Sequence, residues 1–102
     1  MSFIAPPTLA QRIEKPLRAV IDRKYADEFA EARHWPQFAK LLGSPARLAN
    51  LAEVVAGMLH ADCNAGKFHS RRPSDEELGA WVASKWADIR PQAIIAGTCG
   101  GE

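Results

Sequence analysis

The densest gathering of possible metal ligands is His60-Ala61-Asp62-Cys63, followed by His69 and, far along the chain, by Cys99. Zinc takes four nitrogen or sulfur ligands in a tetrahedron, and structural sites usually supply them as two closely spaced pairs. His60 and Cys63 make one such half-pair, and no second pair follows. Cys63 also lies four residues after Leu59, on an apolar stripe, where a cysteine packs as a small hydrophobe. A capped helix end with a core cysteine is the expectation. His60, Cys63 and His69 stand behind it as metal candidates, and no cofactor is expected.

Other chemistries fail on spacing. Glu31-Ala32-Arg33-His34 supplies one Glu-x-x-His, but a di-iron bundle needs a second and two further glutamates. Gly66-Lys67 has Ala61 where a phosphate-binding loop needs its first glycine, and Phe68 where it needs Ser or Thr. None of the serines Ser2, Ser44, Ser70, Ser74 and Ser84 stands in a nucleophile-elbow context. Asp75, Glu76 and Glu77 are adjacent, so on a helix they point in different directions, whereas acid–base catalysis needs two carboxylates on one substrate. An enzyme is not expected.

Two binding surfaces remain. Phe38 to Leu51 resembles a helix-turn-helix, with Ala39 in a first helix, Gly43 four residues later, and Leu48 and Leu51 as anchors of the second. That resemblance implies DNA binding through residues 36–59, with Arg47 and Asn50 projecting outward to read guanine and adenine edges. The second surface is the basic segment Lys67-Phe68-His69-Ser70-Arg71-Arg72 together with the last helix, which carries Trp81 and Trp86. Arginine and tryptophan are enriched in protein-binding hot spots. Trp81 and Trp86 lie five residues apart, about 140° around a continuous helix, so one is expected at the edge of the apolar stripe. Lys67, Phe68, Arg71, Arg72, Trp81 and Trp86 are therefore the candidate partner-binding residues.

The elements that position these groups read as helices throughout. The 102 residues suit one domain, 47% hydrophobic and 25% charged, with eighteen alanines. Thirteen basic against twelve acidic residues give +1, no field to draw the chain to nucleic acid or membrane. No signal peptide or spanning segment is read, so a cytoplasmic protein is expected. Thr8/Gln11 and Ser74/Glu77 have capping-box spacing. Ser44-Pro45 is a helix start, and Gly43 is expected as a left-handed cap. Pro16 predicts a kink or a new helix, Gly66 a helix end, and Pro91 the end of the helix that starts at Ser74. Leu48, Leu51, Ala52, Val55, Met58 and Leu59 share one stripe, as do Leu78, Trp81, Val82, Trp86 and Ile89.

The expectation is an all-α single domain over 1–102, a bundle of four to six short helices, with 1–7 and 97–102 as flexible ends. Its expected function is binding a larger macromolecule, most readily a protein, as a regulator or inhibitor. The alternative is the helix-turn-helix DNA-binding regulator. In size and construction the chain is similar to small helical regulators encoded by bacteria, phages and plasmids, anti-CRISPR proteins among them. That likeness is one of build and carries no motif.

Overall fold

The computed structural model describes residues 7–27, 35–68 and 73–98, and among them finds five helices and no strand. They are α1 (Leu9–Asp27), α2 (Trp35–Leu42), α3 (Pro45–Asn64), α4 (Asp75–Ser84) and α5 (Trp86–Thr98). The fold is all-α, as the spacing predicts. It measures 21 Å across its thinnest dimension, about two helix diameters.

The start signals work by satisfying backbone N–H groups that a first turn leaves without partners. Thr8 Oγ1 accepts from the Gln11 N–H at 3.1 Å, and the Gln11 side chain accepts from the Thr8 N–H at 2.8 Å. Ser74 and Glu77 make the same reciprocal pair at 3.1 and 2.8 Å. Ser44 caps α3 by accepting from the Arg47 N–H, with Pro45 at the first helical position. At the other end, the Gly66 N–H donates to the Cys63 carbonyl and the Lys67 N–H to that of Asp62. Gly66 has φ +74°, which completes a Schellman closure that only a residue without a β-carbon enters freely.

Two punctuation readings, at Pro91 and Gly43, are corrected, and of the two readings at Pro16 the new helix is excluded. Pro16 lies inside α1, and Pro91 inside α5. Each removes one backbone hydrogen bond, but burial of the flanking residues carries the helix through: Ile13, Leu17, Val20 and Ile21 around the first, Trp86, Ile89 and Ala93 around the second. Gly43 is not left-handed, since among the described residues Gly66 is the glycine with positive φ. Instead the Gly43 N–H continues the α2 ladder to Ala39, and a β-carbon there would press on that carbonyl at 3.3 Å. The helix that starts at Ser74 is broken before Pro91, at Lys85.

The apolar stripes converge on one core. α1 contributes Ala10, Ile13, Leu17, Val20 and Ile21, and α3 contributes Leu48, Leu51, Ala52, Val55, Ala56 and Leu59. α1 packs on α3 and α4, α2 on α5, and α3 on both α1 and α5. No charged side chain is buried among the described residues. Arginines work at the margin of the core, bonding backbone carbonyls across helices. Arg12 Nη2 donates to the Pro73 carbonyl at 2.6 Å and pairs with Asp75 at 3.0 Å, while Arg18 Nη2 reaches the last carbonyl of α2, at Leu42. Helix C-terminal carbonyls lack intrahelical donors, so a guanidinium there meets both a hydrogen-bonding need and the helix dipole.

α5 continues through Thr98, and Gly97 is buried. No helix among the described residues is long and apolar enough to cross a membrane.

Candidate functional site

Asp62 stands in the last turn of α3, where a helix dipole disfavours an acid. It is compensated from α4 and the α4–α5 joint. The Trp81 indole N–H donates to Asp62 Oδ2 at 3.0 Å, and Lys85 Nζ lies 3.0 Å from the same oxygen. The indole bond, then the Lys85 ammonium, hold the Asp62 carboxyl below its ordinary value of 3.8. The Asp62 carbonyl in turn accepts from Lys67 at 2.8 Å. One residue thus fixes the turn after α3 to the body of α4.

Lys85 itself is shared between two helices. Its N–H donates to the Trp81 and Val82 carbonyls, closing α4, and its carbonyl accepts from Asp88 and Ile89, opening α5. This joint explains both tryptophans. The 140° separation applies to one continuous helix, and the break between them lets both enter one core. Trp81 is 6% exposed and Trp86 8%. Trp86 packs edge-on against Phe38 at 5.9 Å between ring centroids, and Trp81 against Phe68 at 6.4 Å. Neither is an edge tryptophan.

Lys67, Phe68 and Trp81 come together around an open groove of about 450 Å³, completed by Glu77, Ala80 and Ser84. Its floor is aromatic and its rim carries the exposed Lys67 ammonium. Trp86 lies elsewhere, packed on α2. Arg71, Arg72 and His69 lie outside the described residues, as do Cys99 and the Glu31-to-His34 motif. His60 is exposed and Cys63 half-buried against the core. No group of three His, Cys, Asp or Glu side chains close enough to hold a metal occurs among the described residues.

No protein-family model, curated protein or solved structure matches this chain. The reading of its surface rests on its own geometry.

The helix-turn-helix segment folds as two helices, α2 and α3, joined by Gly43 and Ser44. Arg47 differs from its expected position. Its Nη1 donates to the Ala96 carbonyl at 2.8 Å, tying the start of α3 to the end of α5. Asn50 is exposed and lines a second, smaller groove with Leu51, Val54, Gln92, Ile95 and Ala96. Spacing alone does not single out Asp62 or Lys85. The signal available for Asp62 was an acid placed against the helix dipole, which implies a cationic or N–H partner. Nothing local marks Lys85.

Proposed function

We propose that this chain works by binding a larger protein as a regulator or inhibitor, with the contact centred on the groove between the α3 closing turn and α4. The observation that carries the reading is that Lys67, Phe68 and Trp81 line one open groove whose walls are tied together through Asp62. A turn held at both its backbone and its aromatic contact loses little freedom on binding, which favours affinity. An apolar floor whose described rim carries one base, Lys67, and one acid, Glu77, suits a partner segment that inserts an aliphatic or aromatic side chain and sets a charged group beside it. Arg71 and Arg72 belong to the four residues between Phe68 and Pro73, so they add cationic sequence next to that rim.

The test is a photo-crosslinking amino acid at exposed Ala80, with a matched one at exposed Ala39, in lysate of the source cells with and without nuclease treatment. Discrete protein adducts from position 80 alone, lost with Lys67→Glu, are the expected result. Equal adducts from both positions, or adducts that vanish with nuclease treatment, would overturn the reading.

A further inference from the structure

We infer that the groove between α1 and the start of α4 binds a monoanionic carboxylate carrying a short apolar group, either a free acid or the last residue of another chain. The groove has a volume of about 480 Å³, within the range of small-ligand pockets. Pro7, Pro16 and Ala19 give it an apolar wall, and Asp75 closes it from α4. Arg12 and Lys15 line it from the same side of α1 as Pro16 and Ala19, at helical spacings of three and four. It shares no residue with the groove at Lys67 and Phe68, so it stands or falls apart from the reading above.

The chemistry centres on Arg12. Its side chain is 27% exposed, and Nη2 engages two acceptors, the Pro73 carbonyl at 2.6 Å and Asp75 at 3.0 Å. Held in this way from the far wall, the guanidinium is in place before any ligand arrives. Nη1 and Nε carry three further N–H donors, and among the described residues Arg12 bonds no other acceptor. Donors on a half-buried cation bond an anionic oxygen more strongly than donors in open water. Lys15 is exposed and forms no ion pair among the described residues. Charge selects the ligand. Arg12 and Lys15 against Asp75 leave the lining at +1, so one carboxylate brings it to neutrality. A dianion such as sulfate or a phosphate ester would leave negative charge in excess beside Asp75. Asp75 has a side chain 92% exposed and one oxygen on Arg12, so solvent screens it and it opposes a monoanion little. The proline and alanine wall takes the apolar group of the acid out of water.

Titration of the isotope-labelled full chain with isocaproate, followed through amide NMR shifts, tests this. Millimolar isocaproate should give saturable shifts centred on Arg12, Lys15 and Asp75, whereas isocaproamide and inorganic sulfate at equal ionic strength should give none. Lys15→Glu changes an exposed side chain, and should weaken binding at least ~10-fold with an unchanged helical spectrum. Arg12→Gln should abolish binding, and where that variant unfolds Lys15→Glu decides alone. The acetylated tripeptide Ala-Ala-Leu, with a free carboxyl end, separates the two sources. A Kd more than ~10-fold tighter than that of isocaproate assigns the groove to a chain end, and otherwise to a free acid. Absence of saturable shifts, equal shifts from the amide or from sulfate, or shifts centred elsewhere overturn the inference. So does undiminished binding by Lys15→Glu, or by a folded Arg12→Gln.

Discussion

Gly97 lies against the backbone of Gln37, so close that a β-carbon at residue 97 would stand 2.7 Å from the Gln37 carbonyl carbon and 2.8 Å from its Cα. α5 and α2 meet at this point with no space for a side chain, and the obstructing atoms are main chain.

Gly97→Ala should therefore destabilise the protein by about 1–3 kcal/mol, since helix backbones must separate to admit the methyl group. Gly79, inside α4, is the matched control, because a β-carbon there meets no heavy atom within 4 Å. Gly79→Ala should stabilise by about 0.5–1 kcal/mol through helix propensity. Urea unfolding of the two variants should move the midpoint in opposite directions.

Asp62→Asn should cost about 1 kcal/mol near neutral pH, by removing the charge that Lys85 and the Trp81 indole both engage. The folded carboxyl titrates below its ordinary value of 3.8. Its contribution is thus complete above the unfolded value and lost as pH falls through the lower, folded one. The stability gap between wild type and Asp62→Asn should be constant at neutral pH and close under acid. Tryptophan fluorescence during unfolding reads both. A gap unchanged by acid would refute the assignment.

Leu51, Val55 and Leu59 are buried to within about one percent, one above the other on α3. Leu51→Ala or Leu59→Ala should each cost ~2–5 kcal/mol. Out of a total of ~5–15 kcal/mol, either loss should be plain in a thermal melt.

Arg47→Gln should lower stability by about 1 kcal/mol, because the Ala96 carbonyl loses its guanidinium donor. Under the protein-binding reading it should leave retention on heparin at low salt unchanged and weak. Strong, steeply salt-dependent retention of wild type that Arg47→Gln or Asn50→Ala abolishes would favour the helix-turn-helix reading instead.

What the sequence shows plainly is whatever a few neighbouring residues decide among themselves. The reciprocal bonds of Thr8 with Gln11 and of Ser74 with Glu77 are complete within four residues, and the Gly66 closure within six. The stripes on α3 and α4 are legible for the same reason. Pro91 misreads as a helix end because its local cost is outweighed by burial of Trp86, Ile89 and Ala93 of the same helix in the core. The fate of Arg47 depends on Ala96, forty-nine residues away, and no spacing rule reaches that far. Trp86 is a subtler case. Its burial follows from the break at Lys85, which no proline or glycine announces. In the candidate site, Lys67 and Phe68 were visible as a basic loop beside an aromatic. Their anchorage through Asp62 depends on a carboxylate whose partners come from another helix.

The single-residue joint at Lys85 bears on ancestry. Adding or deleting one residue there would turn all of α5 by about 100° relative to α4, swinging Trp86, Ile89 and Ala93 out of the positions they fill. The two-residue link between α2 and α3 is as unforgiving. Descendants of the same ancestor are thus free to exchange nearly every surface side chain while keeping the intervals from Trp81 to Trp86 to Ile89 unaltered. Those intervals, rather than residue identity, are the pattern by which remote kin of this chain would be found.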